Sequence, residues 1–180
     1  MRRPAAATAA RSPRMPSPDA SGVLTSDAPA QTHAIGRALG RAAGPGAFVA
    51  LRGPLGAGKT QLAKGIAQGL DVQTVVNSPT FILMNEHVGR LRFFHVDAYR
   101  LEDPSEAEAA GLFDERQAQG VTVVEWADRL DGWLPDDRLE IAIEPDAGVS
   151  NHRTLRWRAS GDAAAQLAAS ALVKSAPARS

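Results

Sequence analysis

Apolar positions follow two rhythms along this chain, and the alternation between them predicts most of its elements. Leu62, Ile66 and Leu70 recur every four residues and predict an amphipathic helix over 61–70. Ala34, Ile35, Ala38, Leu39 and Ala42 share one side of a second helix, predicted over 26–43 and stopped by Gly44-Pro45-Gly46. A third is predicted over 162–173. Short apolar runs at 47–52 and 121–124 read as buried strands. Leu139, Ile141 and Ile143 alternate within 139–143, as do Leu155 and Trp157 within 152–158, and both segments read as strands. The stretches 80–86 and 91–96 read as a hairpin around Val88-Gly89-Arg90. Asp103-Pro104-Ser105 opens a short helix ending at Gly111, and 112–119 adds a further turn or two. There is no internal repeat. A strand–loop–helix nucleus of parallel character followed by hairpin-like strands predicts a three-layer α/β fold with a mixed parallel/antiparallel central sheet.

Composition narrows the class. At 180 residues the chain suits one domain with a sizeable core. It carries 44% hydrophobic and 22% charged residues and a formal net charge of zero, which argues against a nucleic-acid coat or a polybasic membrane binder. It has no cysteine, which excludes disulfides, thiol catalysis and zinc–thiolate sites. No apolar run approaches the roughly 18 residues of a membrane-spanning helix, so no membrane partner is expected and a cytoplasmic location is. Residues 1–22 are rich in Ala, Pro, Ser and Arg and lack an apolar stretch after Arg2-Arg3. They read as a disordered extension, a transit peptide being the alternative, with 23–174 as the folded domain and 175–180 as a loose tail.

The chemistry concentrates in Gly53-Pro54-Leu55-Gly56-Ala57-Gly58-Lys59-Thr60, which fits the phosphate-binding pattern G-x-x-x-x-G-K-[ST] between a predicted strand and a predicted helix. Glycines let backbone N–H groups turn inward against phosphate oxygens. Lys59 supplies a point charge for the β- and γ-phosphates, and Thr60 a hydroxyl for Mg²⁺ at a helix N-terminus that favours anions. Only three lysines stand against seventeen arginines, so a lysine at this position is selective. The predicted fold is therefore a P-loop NTPase. No Asn-Lys-x-Asp element accompanies the lysines, which favours ATP over GTP. Metal positioning in such sites takes a carboxylate at a buried strand end. Asp97 and Glu125 both qualify. Ser78-Pro79-Thr80 resembles a switch segment whose hydroxyl senses γ-phosphate. His95, two residues before Asp97, shares its side of a strand and could orient Asp97, contact phosphate or simply pack. Trp126 packs near the nucleotide or in the core. A small-molecule kinase and a non-hydrolysing nucleotide-gated module are competing readings of the same loop, but the helix-rich lid of a kinase is missing.

Taken in order, Gly53-x-Leu-Gly-Ala-Gly-Lys-Thr60, Asn77-Ser-Pro-Thr-Phe81, His95-x-Asp-x-Tyr-Arg-Leu101, Asp103-Pro-x-Glu106 with Gly111, and Val124-Glu-Trp126 resemble the TsaE (YjeE) family. The resemblance runs from about Thr25 to Arg158. It implies an ATPase of bacterial tRNA threonylcarbamoyladenosine biosynthesis that binds ATP and Mg²⁺ and hydrolyses ATP weakly. Its implied partners are TsaB and TsaD, with tRNA met indirectly through that assembly. The resemblance assigns Leu55, Gly56, Ala57, Gly58, Lys59 and Thr60 to the phosphate cradle, and Thr60 and Glu125 to Mg²⁺, with Asp97 as a further essential acid. Thr80 becomes the switch hydroxyl. Pro29, Thr32 and Arg153 fall in stretches that flank the base. Pro54 and Ala98 depart from the commoner residues, and neither is a required ligand.

Overall fold

The computed structural model describes residues 19–79, 83–109, 111–112 and 114–173. The elements run β1 (Ala20–Ser26), α1 (Pro29–Ala42), β2 (Ala47–Arg52), α2 (Lys59–Gly69), β3 (Met84–Val88), β4 (Arg92–Asp97), α3 (Ser105–Ala109), β5 (Val121–Glu125), β6 (Arg138–Pro145), β7 (Arg153–Ser160) and α4 (Asp162–Ala168). A last helical turn over Ala169–Val173 extends α4, and tight turns at Glu115–Gln119 and Ala127–Leu130 flank β5. The strands form one sheet in the order β1-β7-β6-β2-β5-β4-β3. Its centre, β6-β2-β5-β4, is parallel, and β3, β7 and β1 add antiparallel strands at the two sides. The mixed sheet is the one the pattern predicts.

Burial explains the two rhythms. Strands β2 and β5 lie mid-sheet and are covered on both faces, so they read as unbroken apolar runs. Strands β6 and β7 have one solvated face and therefore alternate. Val49, Leu51, Val123, Ile141 and Leu155 pack under α1, α2 and α4 through Leu39, Leu62, Ile66 and Leu167. On the opposite face Phe48, Ala50, Val96 and Val124 meet Ala107 of α3, Leu101 and Leu112 from the segments on either side of it, and Leu130 of the turn after β5. These are the three layers.

Three boundaries move. β1 starts at Ala20, inside the stretch 1–22 expected to be a loose extension. Its apolar signal is weak because Gly22 lies under Trp157, where an added Cβ would stand 2.6 Å from the indole. α1 starts at Pro29 rather than residue 26, since Ser26 still belongs to β1 and proline favours a first helical position. β3 spans Met84–Val88, later than the predicted 80–86. Residues 1–18, 80–82 and 174–180 lie outside the described residues, and with them most of the expected extension and tail.

Helix α1 sits unusually close to α2. A Cβ on Gly36 would lie 2.3 Å from the Leu62 carbonyl oxygen, and one on Gly40 2.1 Å from that of Ile66. Conversely, Gly65 and Gly69 face the carbonyls of His33 and Arg37 at 2.2 and 2.3 Å. Two glycine pairs, each four apart, thus let the backbones touch and lock the helix that carries the phosphate loop. Alanine normally favours a helix over glycine by about 1 kcal/mol, but here backbone clash wins. Gly40→Ala should lower Tm by about 4–8 °C, whereas Gly44→Ala, with nothing within 4 Å of the new methyl, should leave it unchanged; thermal unfolding followed by circular dichroism checks both.

Candidate functional site

The loop between β2 and α2 emerges at the C-terminal edge of the parallel strands, where open α/β sheets bind ligands. Gly53 has φ 136°, and a Cβ there would lie 2.4 Å from the Ile143 carbonyl oxygen, so only glycine lets the chain leave β2 beside β6. Gly58 caps α2 in a left-handed conformation. No side chain caps that helix and no acidic residue stands in its first turn, which leaves its positive end available to an anion. Arg52, the last residue of β2, is anchored to Asp131 at 2.6 Å. Lys59 is 4% exposed. Its Nζ donates to the carbonyls of Gly53 at 2.6 Å and Pro54 at 2.8 Å and lies 3.7 Å from the Trp126 ring centroid. Burial pushes the Lys59 ammonium below the ordinary lysine value, against the opposing pull of Glu125, Asp97 and Asp128.

Strand parity and register bring the acids to this loop. Residues 93, 95 and 97 of β4 and 121, 123 and 125 of β5 point to the α2 face. Register sets Asp97 beside Glu125, and Glu125 beside Leu51 of β2. Glu125 is 2% exposed, and its Oε2 accepts from Thr60 Oγ1 at 2.9 Å. Its Oε1 accepts from His95 Nε2 at 2.8 Å. His95 therefore bonds to Glu125 and not to Asp97, the partner that one of the three readings of its strand face had considered. Asp97 instead accepts from the Ser78 hydroxyl and, at 3.0 Å, from the Tyr99 backbone N–H.

These groups line one cavity of about 430 Å³, whose walls include residues 55–60, Ser78, Asp97, Glu125 and Trp126, with Tyr99 and Arg100 at the side. Tyr99 and Trp126 rings pack 4.9 Å apart. Trp126 is held at φ 58°, a left-handed conformation rare for a bulky residue, which turns its ring off the end of β5 and over Lys59. Trp126 thus belongs to the site. Three expected residues lie apart from the cavity. Thr32 is buried, its hydroxyl paired with Ser26 at 2.8 Å. Arg153 donates from Nε to the Ala57 carbonyl at 3.0 Å, bracing the loop. Pro29 is exposed at the start of α1. Thr80 lies outside the described residues. The Ser78 and Tyr99 contacts with Asp97 were not foreseen; the only sequence signal was their place within the Asn-Ser-Pro-Thr-Phe and His-x-Asp-x-Tyr-Arg motifs. Among the described residues no group of three His, Cys, Asp or Glu side chains forms a ready-made metal cage. A hydroxyl–carboxylate pair with open space beside it is what Mg²⁺ takes when substrate phosphates supply further ligands.

The family described as "Threonylcarbamoyl adenosine biosynthesis protein TsaE" matches residues 26–155. The chain belongs to the TsaE family. The tRNA threonylcarbamoyladenosine biosynthesis protein TsaE of Bacillus subtilis is 44% identical over 117 residues, covering 64% of this chain and 73% of that protein. The TsaE protein of Mycobacterium leprae is 40% identical over 147 residues, covering 77% of this chain and 91% of that protein. The crystal structure of YdiB from Bacillus subtilis superposes with a TM-score of 0.71 at 31% identity, covering 87% of this chain and 95% of that one. No helix among the described residues is long and apolar enough to cross a membrane.

In this TsaE-family chain the Thr60–Glu125 bond is testable without any ligand. Thr60→Val leaves a buried carboxylate oxygen without its donor, and should cost about 1–3 kcal/mol. A double-mutant cycle with Glu125→Gln, read by denaturant unfolding of the free protein, should give a coupling energy of about 0.5–3 kcal/mol.

Proposed function

We propose that this chain is a magnesium-dependent ATP hydrolase with weak activity of its own, which supports a TsaB/TsaD assembly in threonylcarbamoyl modification of the adenosine next to the anticodon of tRNA. The observation that carries the reading is the convergence of the Gly53–Thr60 loop, Glu125 and Asp97 on one cavity. Its volume falls within the roughly 300–1,000 Å³ of small-molecule sites. The names of the matched relatives supply the tRNA setting, and a cytoplasmic location accords with it.

In this reading residues 55–60 wrap the polyphosphate, and the Lys59 ammonium exchanges its bonds to the Gly53 and Pro54 carbonyls for bonds to the β- and γ-phosphates. Thr60 and Glu125 would hold Mg²⁺, with Asp97 beside them; when bound, the ion neutralises phosphoryl charge and aligns the phosphate oxygens. Asp97, already fixed by Ser78 and Tyr99, keeps lone pairs free to hold or deprotonate a water. Thr80 reads the γ-phosphate. Arg153 braces the cradle at Ala57, and the stretch that holds Pro29 and Thr32 would flank the base.

Removing the Lys59 charge costs a charge-assisted contact of about 1.5–3 kcal/mol. Lys59→Ala should therefore weaken ATP binding at least about tenfold in calorimetry and abolish phosphate release. Unchanged affinity and turnover in that variant overturn the site. The wider role is checked by co-purification with TsaB and TsaD with and without ATP; retention in at least one condition is expected, and failure in both removes the assembly from the reading.

A further inference from the structure

We infer that His95 is a positioning residue whose task is to hold the Glu125 carboxylate in the orientation that accepts a magnesium–nucleotide ligand; this rests on the ATPase reading above. His95 is wholly buried and makes its hydrogen bond through Nε2 to Glu125 Oε1 at 2.8 Å. A carboxylate only accepts, so the imidazole donates. Its other nitrogen, Nδ1, is buried without a partner among the described residues. A histidine retained for packing alone would be better replaced by an apolar side chain, because an orphaned buried nitrogen is a cost. Here one nitrogen is left unsatisfied while the other is spent on Glu125.

The surroundings fix the ring for that single contact. Phe93, two residues earlier on the same face, packs at 5.8 Å between centroids with an interplanar tilt of 31°. Register places His95 beside Val123, one side-chain step before Glu125 on β5, so the imidazole reaches along the sheet to the far oxygen. The two carboxylate oxygens are thereby divided. Oε1 is committed to His95, and Oε2 faces Thr60 and the phosphate loop. Asp97 takes no part in this contact, its oxygens accepting from the Ser78 hydroxyl and the Tyr99 backbone N–H. Without His95 the carboxylate can rotate, and the oxygen presented to the loop is no longer held. Groups that orient a metal-binding side chain in this way typically change metal affinity by about 10–100-fold when removed.

The test compares His95→Gln, which keeps an N–H at a similar reach, with His95→Asn, which draws it back from Glu125; His95→Phe, which fills the space without a donor, takes the place of Asn if that variant does not fold. Thermal unfolding without ligand establishes which variants are folded. Magnesium is then titrated at fixed ATP-analogue concentration, with binding read by tryptophan fluorescence, and in parallel nucleotide binding is measured in chelator. His95→Asn, or His95→Phe in its place, should need about tenfold more Mg²⁺ for half-saturation, His95→Gln should stay within about threefold of the native chain, and binding in chelator should be unchanged. Proton NMR of the nucleotide-free native chain should show a protected imidazole N–H that is lost in Glu125→Ala. Equal Mg²⁺ requirements across all variants, an equal loss in His95→Gln and in His95→Asn (or His95→Phe in its place), or the absence of that N–H signal overturns the inference. A native chain that binds no Mg–ATP overturns the ATPase reading instead, while the N–H signal still reports the His95–Glu125 bond.

Discussion

The structure depends on the parallel register of three neighbouring strands. Leu51, Glu125 and Asp97 are aligned across β2, β5 and β4, so all three strands end at one level. That level is where β2 hands over to the phosphate loop. A slip of one residue in β5 would move Glu125 to the opposite face, away from Thr60 and His95. The covering of β2 and β5 on both faces makes such a slip costly, because Val121, Val123 and Val124 would all exchange environments. Site geometry and core packing are therefore specified by the same register.

This coupling also explains the tight seat of α2. Glycines on both α1 and α2 bring the helix carrying Lys59 and Thr60 into backbone contact with its neighbour. The loop is pinned from other sides by Gly53 against Ile143 and by Arg153 on Ala57. A phosphate cradle works through the direction of backbone N–H groups, which no side chain can correct if the backbone drifts. Rigid support from three elements is the physical counterpart of that demand.

Much of this was legible in the residues, and the failures follow a rule. Strand β2, its loop and helix α2 were readable because their signals are local: an apolar run, a glycine pattern and a four-residue period. Asp97 and Glu125 were readable as strand-end acids. What eluded the reading was set by distant neighbours. The partner of His95 is chosen by inter-strand register, so same-strand parity gave its face and left its partner open. Strand β1 lacked a clear apolar face because Gly22 yields its space to Trp157. Gly36, Gly40, Gly65 and Gly69 resemble weak helix formers until the opposing helix is present. The backbone of Trp126 cannot be foreseen at all, since tryptophan has no preference for a left-handed conformation.

Trp126 and its neighbours also show where this fold gives up stability. Lys59, His95 and Glu125 are charged or polar groups with almost no exposure, Trp126 holds a strained backbone angle, and His95 leaves one nitrogen unsatisfied. Each would be replaced in a chain selected for stability alone. Lys59, Glu125 and Trp126 line one cavity and His95 is bonded to Glu125, while the two large clusters of the core, one on each sheet face, are apolar. Such a concentration of costly groups, supported by apolar packing on both sheet faces, is expected where geometry must be held for chemistry. The packing of the three layers supplies the stability that lets a buried lysine and a buried glutamate face the same opening.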